Sequence, residues 1–387
     1  MKLLYIANLR LPTEKAYGIQ IAKMCEAFSL SSKVELVVPH RKNKIKDDLF
    51  DYYSVKRNFR FKTIWAPDFY LPGKLDKVAV NVKNFISALL LCFYALMHRS
   101  DIIYTRDEWS AYFLSFFKKN IIFEAHRFSS NRKPFYQRFK HANLKIVVIS
   151  NGLKGDFVLF GFQENNLLVA PDGVDLAEFD ITISKEEARE KIGLPQNKKI
   201  IMYAGHLFEW KGAALLLEVA KNFKFKIFNF KTPDILFVFV GGTEHDIKEF
   251  KKKAEGLDNV LILGHKPHSQ VPVYLKAADI LVLPNSSKEE ISSKYTSPLK
   301  LFEYMASGRP MVASSLESIR EILKDKDAYF FQPESADSLV KSISLILGNE
   351  PEANQKAVES LKLVKEFSWQ KRAQKILDFS GFNVIVV

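Results

Sequence analysis

A chain of 387 residues that is 47% apolar holds enough hydrophobic material for about two domains, and its composition excludes a disordered polymer. Its two cysteines, Cys25 and Cys92, both lie in apolar stretches, which argues against a disulfide framework and fits a reducing compartment. The net charge of +13 is concentrated early: residues 1–180 carry 27 Lys and Arg against 18 Asp and Glu.

The chain opens with Met1-Lys-Leu-Leu-Tyr-Ile-Ala-Asn8, an apolar run too short for a signal h-region, which therefore reads as a first strand over 2–7. A helix over 18–30 and a strand over 33–38 complete a βαβ unit. The connecting loop, 8–18, is long for its class and places Gly18 where backbone would approach a ligand at a helix N-terminus. Residues 39–75 have no clear period beyond a peripheral strand near 61–66. A helix over 75–97 follows, whose most apolar part, Phe85 to Met97, falls short of the ~18 residues of a spanning helix and reads as buried or interfacial. Strands at 101–105, 121–125 and 145–150 alternate with helices at 108–117 and 134–141, so the sheet should be parallel. Glu124 and His126 emerge together at the end of the 121–125 strand, and such a histidine is either a hydrogen-bonded structural residue or a functional one. Arg106 and Asp107 end the neighbouring strand as weaker candidates. Basic residues cluster at Arg41, Lys42, Lys44 and Lys46, at Lys56, Arg57, Arg60 and Lys62, and from Arg127 through Lys145 among Phe128, Phe135, Tyr136 and Phe139. That face suits anionic lipid, a polyanionic acceptor or nucleic acid, or is a solvated basic surface.

A helix opens at Asn151, and Pro171-Asp-Gly-Val-Asp175 forms a tight turn. The polar, acidic run 176–196, with a short helix at 185–192, reads as a linker. Strand 199–204, the loop Gly205-His-Leu-Phe-Glu-Trp-Lys-Gly212 and helix 213–222 then bring His206 and Lys211 to a helix N-terminus, a natural anion site. Strand 235–240 ends in Gly241-Gly242 and strand 260–263 in Gly264-His265-Lys266, where glycines let the chain approach a flat ring. Strand 279–284 leads into a loop and a helix starting at about Ser297, with Pro298 in its first turn, Gly308 as its stop and Pro310 barring continuation. Ser297, Lys300 and the free amides of that helix would hold an anion, with Glu303 one turn inside; otherwise Glu303 is a solvated carboxylate on an ordinary amphipathic helix. Helices at 319–323, 336–347 and 351–379 finish the chain. The one Asp-x-Asp string, Asp325-Lys-Asp327, reads as a turn, and there is no metal-ligand spacing, Walker loop or dinucleotide fingerprint. Phosphate charge would fall to Lys211, His206, Lys300 and helix dipoles.

The segment 293–314, together with 205–212 and 171–175, resembles the nucleotide-sugar signature of retaining GT-B glycosyltransferases of the GT4 type. The resemblance implies an α/β protein with two doubly wound, Rossmann-like domains facing across a cleft. These would be an acceptor-side domain over 1–175, a linker over 176–196, a nucleotide-sugar domain over 197–365 and a segment 366–387 crossing back. It implies hexosyl-type transfer from a UDP- or GDP-linked sugar to a glycan, lipid-linked or small-molecule acceptor, with retention and without a metal or other cofactor. Glu303 falls on the second glutamate of the signature, against sugar hydroxyls, while Tyr295 stands where the first would be. The usual Phe-Gly-Leu turn is Ser297-Pro298-Leu299, and proline has no amide to donate, so phosphate contacts pass to Leu299 N–H and Ser297 Oγ. The resemblance also places the Gly18 loop beside acceptor and donor phosphates and His126 against the transferred sugar. In the second domain it puts Gly205, His206 and Lys211 on the diphosphate and Gly241, Gly242, His265 and Lys266 around the base. His206 replaces an arginine and has fewer donors. The cysteine usage fits a cytoplasmic setting, and the basic first domain suits peripheral attachment to an anionic membrane surface, with no nucleic-acid partner expected. The alternatives are a nucleotide-sugar epimerase of the same fold and a basic surface- or nucleic-acid-binding module.

Overall fold

A computed structural model of the chain describes residues 1–73, 75–118, 120–223 and 234–382. Among these residues, thirteen strands form two sheets in which every pair is parallel. The first sheet contains β1 (Lys2–Ile6), β2 (Lys33–Pro39), β3 (Arg60–Ile64), β4 (Ile102–Thr105), β5 (Ile121–Ala125), β6 (Lys145–Val148) and β7 (Leu167–Val169), in the order β3-β2-β1-β4-β5-β6-β7. The second contains β8 (Lys199–Ala204), β9 (Ile235–Val240), β10 (Val260–Gly264), β11 (Ile280–Leu283), β12 (Met311–Ser314) and β13 (Tyr329–Phe331), in the order β10-β9-β8-β11-β12-β13. Parallel strands need crossovers, and helices on both faces bury the inner strands, which is why β9 reads Ile-Leu-Phe-Val-Phe-Val with no polar residue. The order reverses between β1 and β4 and between β8 and β11. At such switch points the loops leaving the carboxyl ends diverge and open a crevice.

The chain divides into two compact units: residues 1–171 with the chain from Trp369 onward, and Asp172–Ser368. In the second unit the two-residue alternation of a strand sorts the core onto two faces. Ile200, Met202 and Ala204 pack with Leu281, Phe302 and Met305 on one side. Ile201 and Tyr203 pack with Phe237, Phe239 and Ile343 on the other.

Three expectations are revised by this arrangement. The 176–196 run is part of the second unit instead of a linker. Its Lys185–Ile192 helix is fixed by a capping box between Ser184 and Glu187, and Arg189 is buried, donating to Ala277 O (2.9 Å) and to Asp279 (2.5 Å). A sequence that looks solvated can dock through one paired arginine. The expected single helix 351–379 is two, Glu350–Leu363 and Trp369–Ser380, separated by the turn Val364–Glu366 next to the unit boundary. Of the expected 366–387 segment, residues 383–387 lie outside the described residues. The Leu75–Met97 helix, finally, is 23 residues long, and by length and composition it could cross a membrane even though one face is packed on the first unit.

Both cysteines are buried thiols: burial pushes Cys25 well above its ordinary range and Cys92 up to about 12.

Gly18 sits inside the Ala16–Phe28 helix, its amide donating to Lys15 O (2.9 Å). A Cβ there would stand 2.0 Å from the Tyr53 hydroxyl. That hydroxyl donates to Thr13 O (2.8 Å) and accepts from Thr13 N (2.7 Å), pinning the β1 loop. The glycine therefore makes room for a tyrosine; this packing demand explains it without the ligand approach expected from the sequence. Gly18→Ala should lower stability by ~1–3 kcal/mol, the range for overpacking a tight site. In a Tyr53→Phe background the added methyl should cost less, and equal costs in denaturant titrations of the two backgrounds would refute the packing explanation.

Candidate active site

At the second switch point, two loops are pressed together by backbone geometry. The loop after β8 runs through a short turn, Glu209–Lys211, to Gly212, which has φ +74° and begins the Ala213–Asn222 helix. A Cβ at Gly212 would lie 1.6 Å from Pro284 O at the end of β11, so no side chain fits. The Ser286 amide donates to Trp210 O (3.0 Å), closing the same seam. Lys211 is held between these two contacts, its Nζ 3.9 Å from the Trp210 ring centroid. Burial pushes its pKa down to about 8, with the Asp172 carboxylate opposing.

Lys300 comes from the β11 side, as the second residue of the Leu299–Ala306 helix. Its side chain is buried, donates to the Tyr203 hydroxyl at 3.3 Å and lies 4.4 Å from that ring's centroid. Burial and the neighbouring Lys211 hold it well below the usual lysine range, while Glu303 pulls the other way. Two lysines whose charges oppose each other in a buried place gain most from a shared anion. The first intrahelical bond runs from Leu301 N to Pro298 O (2.8 Å), so the Leu299 and Lys300 amides precede it at the same helix start.

The remaining expected residues divide by what they contact. The Asp172 amide donates to Ser297 Oγ (2.7 Å), which leaves the hydroxyl proton available to a further acceptor. His206 stacks on Phe208, with ring centroids 4.9 Å apart. Gly205 donates to Val240 O (2.8 Å), and a Cβ at Gly241 would stand 2.3 Å from Gly205 O. Gly242 is likewise closed in by Leu207 and Ile247, so these two glycines answer to contacts within the chain. His265 is exposed, and Lys266 reaches toward the Tyr274 ring at 5.8 Å.

Glu303 is engaged by a residue the sequence reading missed. Its Oε1 is 2.8 Å from His268 Nε2, and His268 Nδ1 is 3.6 Å from Glu178 Oε2. The three form a partly exposed carboxylate–imidazole–carboxylate row. The histidine could have been suspected from its place four residues past Gly264, at the carboxyl edge; Glu178 could not, since it belongs to the supposed linker. Asp325 accepts from Arg320 (2.6 Å) and Asp327 from Lys324 N (2.9 Å), as a turn would have them. Among the described residues, no group of three or more His, Cys, Asp or Glu is placed to hold a metal ion.

In the first unit, His126 sits at the carboxyl end of β5 with Nε2 2.5 Å from Glu124 Oε1. Glu124 is fully buried and accepts from Gln20 (2.7 Å), Tyr104 and Arg372 (3.3 Å). Burial alone would raise its carboxyl, but Arg372, His126 and Arg106 outweigh it and hold it well below the usual range. Arg372 also donates to Pro171 O (2.9 Å) and Ala170 O (3.2 Å). Glu124 thereby orients the imidazole, and Arg372 stabilises the carboxylate.

Comparison with known proteins places this geometry. Residues 184–362 match the family model described as glycosyl transferases group 1. The matched segment lies within the second unit and takes up most of it. Over 215 residues, 54% of this chain, the sequence is 28% identical to the UDP-Gal:alpha-D-GlcNAc-diphosphoundecaprenol alpha-1,3-galactosyltransferase of Escherichia coli, covering 52% of that protein. The chain spans about half the length of the curated relatives it matches. Among solved structures, Anabaena HepE in complex with UDP and glucose superposes with a TM-score of 0.74 at 15% identity, over 99% of this chain and 100% of the other. The sucrose-phosphate synthase of Thermosynechococcus elongatus does so with 0.74 at 18%, over 98% of each chain. At such identities the likeness is one of fold. The chain has the GT-B fold, two doubly wound parallel sheets.

Replacing Arg372 by methionine strands the buried Glu124 carboxylate and should cost ~3 kcal/mol or more at neutral pH. Glu124 is depressed below its ordinary 4.5, so it contributes stability above about pH 5 that is lost as pH falls through its folded value. The penalty of Arg372→Met should therefore shrink in acid, where the stranded group can take up a proton. A penalty that stays constant from pH 7 to below 4 in urea titrations would contradict this role for Arg372.

Proposed function

We propose that this chain is a glycosyltransferase that moves a sugar from a UDP-linked donor to a glycan or lipid-linked acceptor, with retention of anomeric configuration and with lysines meeting the phosphate charge. The observation that carries the proposal is the pair Lys211 and Lys300, brought from two loops to one switch point inside the segment matched by the family model. Breaking the anomeric bond leaves negative charge on the departing diphosphate. Two ammonium groups and the amides at two helix starts are aimed where that charge develops, and one such preorganised stabiliser is worth ~3 kcal/mol. Glu303, steadied by His268 and Glu178, accepts hydrogen bonds from donor hydroxyls. His126, oriented by Glu124, is the candidate contact to the transferred sugar in the first unit. A uridine donor is favoured by the E. coli relative, named for UDP-Gal, and its diphosphoundecaprenol-linked acceptor favours a lipid-linked one here.

The direct test is thermal stabilisation across nucleoside diphosphates and their sugars. A true donor at 100 times its dissociation constant adds about 2.7 kcal/mol, and UDP and UDP-sugars should shift the melting temperature where GDP, ADP and their sugars do not. No shift with any nucleotide would overturn the reading.

The two lysines add a pH signature. Lys211, pushed down to about 8, loses its proton in the empty protein as pH rises through that value, so affinity for UDP should fall between about pH 7.5 and 8.5, above the last phosphate ionisation of UDP and below that of its uracil N3–H. Lys211→Arg keeps its charge throughout this range and should flatten that fall. Calorimetry that found the same pH dependence in both proteins would remove Lys211 from the diphosphate site.

A further inference from the structure

Among the described residues, the outer face of the Leu75–Met97 helix is exposed along its length, with Phe85 at its edge packed on the neighbouring helix. Val78, Val82, Phe85, Leu89, Phe93 and Leu96 follow one another in steps of three and four, and all are exposed, Phe93 at 64% and Val78 at 57%. They form one apolar stripe about 27 Å long at 1.5 Å per residue. The only charge between Val78 and Leu96 is Lys83, which is buried and paired with Asp68 at 3.2 Å. A continuous stripe of this size on the surface of a folded unit marks an interaction site, unlike scattered apolar residues.

The opposite face of the helix is tied down by polar contacts. Arg41 donates to Ser87 Oγ (2.7 Å), Tyr94 donates to Glu35 (2.9 Å), and Lys83 holds Asp68. A helix so anchored keeps its inner face on the sheet and offers only its outer face to a partner.

What lies beside the stripe indicates the partner. Phe85 packs edge-on to Trp109 and Phe113 of the Glu108–Leu114 helix, and ring contacts continue through Tyr112 to Phe116, which is 52% exposed. The Arg138 guanidinium lies 4.0 Å over Phe116, and Arg132 lies 5.0 Å over Phe135. Both Phe135 and Arg138 belong to the Lys133–His141 helix, which has Lys133, Arg138, Lys140 and His141 and no acidic residue. The Glu108 carboxylate beside this helix is already bound by Arg132 at 2.9 Å. An apolar stripe continuous with exposed aromatic rings and rimmed by cations matches an anionic lipid surface, where rings settle at the headgroup level and long basic side chains reach the phosphates. A second copy of the chain would bring the same cations to the contact with no acidic run on these helices to answer them.

We propose that the Leu75–Met97 helix is an interfacial membrane-docking element, lying in the plane of an anionic bilayer with its outer stripe in the acyl boundary and the Lys133–His141 helix on the headgroups. The inference is independent of which sugar is transferred. The test is flotation of the full chain with vesicles of phosphatidylcholine alone and of phosphatidylcholine mixed with phosphatidylglycerol. The protein should partition to the mixed vesicles, less so in high salt. Leu89→Ser with Phe93→Ser, at exposed positions, should lower partitioning at least about tenfold while the melting temperature and UDP binding stay unchanged. Lys133→Gln with Lys140→Gln should weaken binding to the mixed vesicles alone, by about fivefold per charge. Equal partitioning of wild type and the serine variant would overturn the proposal, as would absence of binding to the mixed vesicles. So would a dimer seen by ultracentrifugation that the serine variant converts to monomer with vesicle binding unchanged, since the stripe would then belong to a second copy.

Discussion

The second unit's site depends on one steric fact: the carbonyl of Pro284 occupies the place where a side chain at position 212 would stand. Because position 212 is glycine, the loop leaving β8 can lie directly on the loop leaving β11, and the Ser286 amide reaches Trp210 O. Lys211 is caught between two fixed neighbours, so its place in the loop follows from backbone packing. Lys300 arrives on a helix whose Phe302 and Met305 are locked in the core beneath the same sheet. Precision of the cationic site is thus inherited from the two most constrained parts of the fold, the sheet and its switch point.

The two units treat buried charge in opposite ways. In the first, Glu124 is surrounded by donors, and Arg372 answers its charge from a helix more than two hundred positions later in the chain. That carboxylate is satisfied in the resting protein. In the second, two lysines lie near one another with burial working against both. Such an arrangement costs stability, and it persists in folded proteins where a ligand relieves it. One unit closes its charge network with a counter-charge, the other holds two like charges within electrostatic reach of each other.

Most of the architecture was legible because buried parallel strands read as uninterrupted apolar runs, and β8, β9 and β11 stand out that way. β13 escaped because three residues, Tyr329-Phe-Phe331, carry no period. The site was half legible. Lys211 and Lys300 could be found because each precedes or opens a helix at a strand's carboxyl end, which is a local signal. The glycines were visible but ambiguous, since sequence shows that a Cβ is absent without showing whether ligand or chain needs the room; at Gly18, Gly241 and Gly242 it is the chain. Arg372, Glu178 and Asp172 carried no local signal at all. Their roles come from tertiary partners distant in sequence, and a charged residue in a polar run looks the same whether it is solvated or buried against a counter-charge.

The two cysteines, on the buried faces of the Ala16–Phe28 and Leu75–Met97 helices with their thiols far from ionising, have a consequence for the chemistry of the surface. A maleimide or a spin label needs a thiolate within reach, and the folded native chain offers none. A cysteine introduced on any exposed helix would therefore be the single reactive sulfur, and a pair of them, one on each unit, would take two probes without removing a native residue. The protein is in effect cysteine-free to reagents while keeping both side chains as packing, which suits it to site-specific labelling in its natural sequence.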